Sequence, residues 1–568
     1  MFGYIGCVSR YWDLIGTSYK VYYSSTVVEA ERSHHVERAR RVRRVILEQE
    51  SDLPLLSARC KPTHLTICDS FLLAKGVLPG SLTHLTLTDD FNHPLEVGVL
   101  PSSLKHLFLE KEFNQPLEVG VLPDSLTKLE FGKKFKQPLK MGVLPSSLTH
   151  LTFGTAFNRP LEVNVLPCSL KQLEFGSYFD MPLKAGVLPS SLTHLTFGSR
   201  FNWELKAGVL PCNLNQLEFG TFFNEPLMKG VLPASLTHLT FGSRFNRELK
   251  AGVLPSSLKQ LEFGTFFNTP LVKGVLPESL EQLEFGERFN QPLNKGVLPA
   301  SLTHLTFGDD YNDFNQPLLE GVLPESLEQL TFGSDFKQPL NKGVLLGSLT
   351  QLTLGDAFRH TLEKGVLPES LEQLTFGDNF NRPLGEGVLP CYLTHLTFGS
   401  DFNQELLVLP GSLLQLTFGD TFNRPLKMLP KSLEQLTFGE AFNQPLVEGV
   451  FPASLTHLTF GEYFNQPLLE GVLPGNLTHL TFGCDFSRPI GKGMLPASLT
   501  HLKFGEHFRS ESLRDVLPCN LKELTLGYHY SATLAIDILP YSLTKLVLNK
   551  KSILLFEKGA LLQIRNWY

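Results

Sequence analysis

The sequence is poor in tryptophan, with three in 568 residues, and has no apolar run approaching eighteen residues. A membrane-spanning helix is therefore not expected, and the N-terminus lacks the basic-then-apolar order of a secretory signal. No Cys-x-x-Cys pair occurs. The eight cysteines lie far apart, and four of them, Cys168, Cys212, Cys391 and Cys519, follow a recurring proline. The nearest two of these are two repeats apart, about 10 Å at strand spacing, which exceeds disulfide reach. Reduced thiols in an intracellular protein are expected. A net charge of −6 is small for this length, so no global electrostatic footprint for nucleic acid or an anionic membrane is present. A phosphate loop, Gly-x-Ser-x-Gly and His-Glu-x-x-His are all missing. Almost every polar residue is a copy of another, whereas catalysis needs unique residues converging on one cleft. The reading is of no enzyme, no cofactor and no metal centre.

What is abundant is phenylalanine, forty-four residues of it, because one pattern is used many times. About twenty-two tandem copies of a unit of roughly 22 residues fill the chain. The copy Leu144–Val165 reads LPSSLTHLTFGTAFNRPLEVNV. Its proline recurs every 22 residues from Pro79 to Pro299, then at Pro324 after three extra residues around Tyr311–Asp313. Leu346 replaces the next proline. Two shorter copies of 20 residues lead to Pro410 and Pro430, and the full period returns through Pro540. Thr63–Phe71 is a degenerate copy ahead of the first.

Within a copy, Leu148 to Phe153 alternates apolar and polar residues, the period of a short strand with Leu151 and Phe153 on one face. Gly154 next in line offers backbone angles that other residues avoid. Phe157, Leu161 and Val165 add apolar contacts on a return path broken by Pro160, Pro145 and a glycine such as Gly142, too interrupted for an α-helix. One copy cannot bury these side chains alone; stacked copies can, with strands side by side in a parallel sheet. The fold expected is a β-rich solenoid with Pro/Gly-rich return segments. Asn follows the second Phe in most copies, Asn92, Asn158 and Asn443 among them. Two readings stay open for it: a buried ladder that satisfies turn amides between copies, or an exposed turn residue. Lys136, Lys337 and Arg359 at the same position speak against full burial.

The phrase Phe-Asn-Gln-Pro-Leu, followed by Gly-Val-Leu-Pro-x-Ser-Leu, recurs with fixed spacing, as at Phe289–Leu293 and Phe464–Leu468. It resembles the FNIP repeat, a 22-residue relative of the leucine-rich repeat, over roughly residues 63–548. Leu usually stands where that family's name has Ile; Ile490 is an exception. The resemblance implies a β-rich solenoid and brings no catalytic residues. Members of the family sometimes carry an N-terminal F-box.

Residues 1–62 do not fit the repeat. Val36, Ala39, Val42, Val45 and Ile46 line one face of a helix expected over Val27–Glu50, with Thr26 and Glu29 as its capping box. Arg38, Arg40, Arg41, Arg43 and Arg44 read as the solvated face of this helical cap. The stretch Ile5–Ile15 is similar to the last helix of an F-box without the helices that precede it, which implies a Skp1-like adaptor as a second partner. Residues 549–568 leave the pattern and are expected to cover the last strand, whose edge would otherwise stay open.

Histidine is the one concentrated feature. Eleven of seventeen occupy the outward strand position between two inward Leu, among them His84, His106, His150, His194, His238, His457, His479 and His501. Gln fills the position in most other copies, and two residues on stands Thr, or Glu as at Glu174, Glu218 and Glu262. This polar strip is the expected surface for a protein partner, and it makes the chain a non-catalytic interaction scaffold; the alternative is an F-box-type adaptor for ubiquitination. A flat column does not converge as metal ligands do. Where His follows His in successive copies, repulsion is expected to lower the middle members, His84 and His479. His150, His194 and His238, with Gln copies between them, are expected near the ordinary value.

Overall fold

The computed structural model describes residues 62–68, 72–88, 90–308, 312–509, 513, 515–528 and 538–548, together with the strands Asp13–Leu14, Thr17–Ser18, Lys20–Tyr22, Arg44–Leu47, Ser552–Glu557 and Ala560–Asn566. The described chain forms two compact units, Met1–Leu280 and Glu281–Tyr568.

Each unit is a stack of parallel strands, one per copy, three or four residues long. In the first unit eleven run from Arg44–Leu47 to Gln260–Glu262, in direct register from rung to rung: Gln172 beside His194, Leu173 beside Leu195, Glu174 beside Thr196. In the second, thirteen run from Gln282–Phe285 to Lys545–Leu548 in the same way. A parallel β-solenoid with irregular return segments is thus the observed fold, and no α-helix occurs among the described residues.

The alternation in each copy sets the faces. In the copy that begins at Leu144, Leu148, Leu151, Phe153, Phe157, Leu161 and Val165 are all buried, while His150 and Thr152 stay half-exposed on the opposite side of the strand. The two phenylalanines of a copy pack with ring centroids 3.9 Å apart, as Phe153 on Phe157. Each also faces its equivalent in the next rung, Phe153 to Phe175 at 5.8 Å and Phe157 to Phe179 at 6.2 Å. The second Phe forms an unbroken aromatic column within each unit, while the strand Phe forms a parallel one that runs from Phe131 to Phe263 in the first unit and is interrupted by Leu354 in the second. Each buried Phe removes some 150–250 Å² from water; at about 25 cal/mol per Å² that favours stacking by several kcal/mol per copy before entropy.

The two recurrent glycines are required for different reasons. Gly142 has φ +84°, the left-handed conformation that turns the return segment back; Asn164 takes that place one copy later at φ +65°. Gly154 does not have a positive φ, contrary to the expectation from its position after the strand. A Cβ there would fall on the carbonyl oxygen of Gly132 in the preceding rung. The close approach of successive backbones, and not a special dihedral, selects glycine at this position.

At the N-terminal edge, Arg44–Leu47 corrects the helical expectation. It is a strand, parallel to His64–Ile67 and antiparallel to Lys20–Tyr22. Val45 and Leu47 are buried with Ile46 half-exposed between them, so a period of two prevails where an unpaired sheet edge offers a full ladder of partners. The other residues of the expected helix and capping box lie outside the described residues. So does the F-box-like stretch, apart from Asp13–Leu14, a strand paired antiparallel with Thr17–Ser18. At the C-terminal edge, Ser552–Glu557 pairs antiparallel with Lys545–Leu548, and Ala560–Asn566 pairs with it in turn.

The insertion is absorbed by a buried polar residue. Asn312 is fully buried; its Nδ2 donates to the Gly286 carbonyl at 3.0 Å, and its Oδ1 accepts from the Phe314 amide at 2.7 Å. The extra residues therefore leave Phe314 in the aromatic column, 6.1 Å from Phe289 and 6.2 Å from Phe336.

Candidate functional site: the sheet face and its flanking ladders

The Asn position combines both open readings. Asn202 Oδ1 accepts from the Asn224 amide at 2.8 Å, Asn224 Oδ1 from Asn246 at 3.0 Å, and Asn423 Oδ1 from Asn443 at 3.0 Å. It is a rung-to-rung ladder, but an exposed or half-exposed one. The acceptor is a side chain and the donor is a backbone amide. The next copy can therefore carry a long cation without losing the bond, as Lys136 does on Asn114 and Lys337 on Asn315. Two further ladders are not legible in the sequence. The residue after Asn donates to the preceding rung's carbonyl, whether Gln (Gln137 to Asn114) or Arg (Arg247 to Asn224). The Ser of Pro-x-Ser-Leu donates to a Leu carbonyl one rung back, as Ser147 to Leu126 at 2.6 Å. Their only signal is the fixed Gln/Arg and Ser in the repeat, which periodicity alone does not interpret.

On the outward face, the strand histidines are pinned by the threonine before them. Thr149 Oγ1 donates to the Thr127 carbonyl at 3.0 Å and lies 2.8 Å from His150 Nδ1. A hydroxyl has one hydrogen. With that hydrogen on the carbonyl, Nδ1 must carry its own proton and donate to Oγ1, which leaves Nε2 as the outward acceptor; this tautomer is assigned from the bonding pattern. The same Thr–His pair recurs at His84, His194, His238, His457, His479 and His501. His106 follows Lys105 instead, and its ring is tilted 58° against His84.

In the first unit the carboxylates are placed by threonine as well. Glu174, Glu218 and Glu262 each lie beside the Thr of the preceding rung, with Oγ1 to Oε2 distances of 3.5, 3.4 and 3.3 Å from Thr152, Thr196 and Thr240. Outward His and Glu thus alternate from His150 to Glu262 in a checkerboard. In the second unit the Glu column is replaced by threonine in nine successive rungs, from Thr306 to Thr481. His457, His479 and His501 stack there with centroids 4.1 Å apart and planes within 12°. Their Nε2 lone pairs run side by side and do not meet at a point, which is no geometry for a shared tetrahedral ion. Beyond His501 the column continues with Glu523, 3.9 Å from its Nε2, and Lys545, 2.9 Å from Glu523.

Partial burial is the first cause that lowers the pKa of His479; the neighbours His457 and His501 add to it, and Glu523 opposes. The direction matches the expectation, but the largest single cause is burial and not repulsion. His150 departs from expectation: it too is lowered, by burial first and then by Lys128 on the adjacent rung, with His194 and Lys171 adding less. Counting histidines alone overlooks the lysine that stands where the previous copy's His would be. His106 is lowered by burial, then by His84 and Lys128.

Cys168, Cys212, Cys391, Cys484 and Cys519 carry free thiols, and all of these but Cys484 are exposed. Among the described residues no helix is long and apolar enough to cross a membrane.

Comparison with known proteins agrees with this geometry. The family described as FNIP Repeat matches in sixteen windows from 72–112 to 510–551, interrupted at 311–313, where the insertion lies. Comparison with curated proteins gave no match. Among solved structures, the protein CroV588, described as a novel circular LRR protein structure, is 46% identical and superposes with a TM-score of 0.79, over 86% of this chain and 72% of that one. YopM from Yersinia enterocolitica WA-314 is 21% identical over 88% of this chain and 94% of its own, but its TM-score of 0.39 supports no inference. With the repeat pattern spanning nearly all of the rungs and a relative this similar, the chain belongs to the FNIP repeat family of leucine-rich-repeat-like solenoids.

Proposed function

We propose that the chain is a non-catalytic scaffold that binds a protein partner on its sheet face. In the first unit the contacts are His84, His106, His150, Glu174, His194, Glu218, His238 and Glu262; in the second they are His457, His479 and His501. The observation that carries this reading is the locking of these side chains, His106 excepted. Thr–His and Thr–Glu bonds hold donors and acceptors in fixed places on a surface that is itself a rigid ladder, so little conformational entropy is lost when a partner docks. A merely solvated face has no need of such fixed rotamers. Long repeat surfaces of this type suit extended protein contacts.

The test is affinity capture with the full chain and with two face variants, His150→Ala/His194→Ala/His238→Ala and His457→Ala/His479→Ala/His501→Ala, followed by mass spectrometry. Loss of one set of specific partners in either variant, with folding intact by circular dichroism, is the expected result. Identical partner sets for all three proteins would remove the sheet face as the binding surface.

A further inference from the structure

A second surface lies off the sheet face, on the shoulder where the chain leaves the end of each strand. Over five successive rungs of the first unit, the residue before the second Phe is Tyr178, Arg200, Phe222, Arg244 and Phe266. All five are exposed, the three aromatics to 46%, 39% and 49%. These exposed rings lie outside the core, since each of these copies already buries its own two phenylalanines. Each guanidinium lies over the ring one rung before it: Arg200 over Tyr178 and Arg244 over Phe222, both with the guanidinium carbon 4.2 Å from the centroid. The backbone beneath is fixed by rung-to-rung bonds of 2.8–2.9 Å, from Arg200 to Ser177, Phe222 to Ser199 and Arg244 to Thr221. Among the described residues neither arginine has a carboxylate partner.

We propose that this strip binds an extended acidic peptide segment of a partner protein, running across the rungs, with one carboxylate on Arg200, another on Arg244, and an apolar side chain between them on Phe222. Stacking on a ring holds a guanidinium plane in place while its edge donors stay open for a bidentate carboxylate. Spacing narrows the ligand further. The two arginines are two rungs apart, about 10 Å at strand spacing, and one turn of a polyproline II segment, three residues, spans about 9 Å and returns i and i+3 to the same face. The carboxylates therefore belong at positions i and i+3, with the apolar residue between. Aromatic and arginine residues are the types that dominate binding energy at protein interfaces. The site is independent of the sheet-face columns and does not rest on their proposed role.

The probe is a fluorescein-labelled peptide of sequence Gly-Ser-Glu-Leu-Val-Glu-Ser-Gly, followed by fluorescence polarisation on the full chain. Binding is expected, with affinity reduced about tenfold for each guanidinium removed in Arg200→Gln and Arg244→Gln, and reduced in Phe222→Ser. A peptide with the two Glu adjacent, and one with Lys in place of Glu, are expected to bind more weakly. These residues are exposed, so the variants should fold; circular dichroism checks it. No binding of the probe, equal binding to Arg200→Gln/Arg244→Gln, or equal binding of the Lys peptide overturns the proposal. So does tighter binding of a labelled oligothymidylate, which would make the strip a nucleic-acid surface. Peptide binding lost in His194→Ala/His238→Ala but retained in the arginine variants would place the ligand on the sheet face instead, while intact peptide binding beside unchanged partner capture would leave this site and remove the other.

Discussion

Gly198 and Gly208 stand ten residues apart in one copy and separate two kinds of glycine requirement. At Gly198 a Cβ would overlap the Gly176 carbonyl group of the rung below. Because the obstacle is backbone, no side chain can swing aside, and the two rungs must part. The Phe175–Phe197 pair at 5.9 Å and the Arg200-to-Ser177 bond at 2.9 Å lie on either side of that contact and would both be strained. Overpacking of this kind costs about 3 kcal/mol or more, the upper end of its usual range. At Gly208, φ is +81° and nothing lies within 4 Å of an added methyl. Gly208→Ala therefore costs only the left-handed backbone, about 1–2 kcal/mol, less the 0.4–1 kcal/mol or so gained by restricting the unfolded chain. The net is near 1 kcal/mol. A solenoid need not unfold in one step, so the assay is amide hydrogen exchange resolved by rung. Gly198→Ala should strip protection from the amides of Phe197, Arg200 and Phe201 and from the adjoining rungs, with rungs near Leu85 unchanged. Gly208→Ala should leave all of them nearly as in the parent. If Gly208→Ala is the more damaging of the two, the close-approach argument fails.

Three further outcomes are expected. Asn423→Ala removes the acceptor of the Asn443 amide and of Gln444 Nε2, which should cost about 1 kcal/mol and show as faster exchange at Asn443, whereas Asn443→Lys should leave that amide protected. Asn312→Ala leaves the Phe314 amide and the Gly286 carbonyl without their side-chain partner; about 2–3 kcal/mol is the expected loss, measured by urea unfolding monitored at the second unit, and a neutral result would mean that the insertion is held some other way. For His479 the folded pKa lies below the unfolded value of about 6.5, so the unfolded chain takes up a proton first; the contribution to stability is present above that value and falls as pH drops through it toward the folded pKa. Imidazole NMR titration should find His479 below 6.5, and His479→Gln should flatten the pH dependence of exchange in its rung; a titration above 6.5 would show that Glu523 outweighs burial.

The sequence by itself determined the repeat, the strand and the inward set. Leu148, Leu151, Phe153, Phe157 and Leu161 declare their burial through spacing alone, because a period of two within a period of 22 leaves one arrangement that buries them all. It also placed His150 and Glu174 on the outward face for the same reason. What it could not decide concerns residues 22 positions apart, which the chain does not relate until copies are stacked. Gly154 is glycine because of Gly132 in the rung below. Asn114 bonds an amide that belongs to Lys136, and Lys128, not another histidine, is the first charge beside His150. Arg200 is one more polar residue in the text of the sequence until stacking lays it over Tyr178. At the N-terminus the helical pattern through Val45 and Ile46 lost to a sheet edge at His64–Ile67, a partner that is not visible locally. Hydrophobic periodicity is written along the chain, whereas the ladders, stacks and pKa shifts arise across it, and only the tertiary structure supplies that second direction.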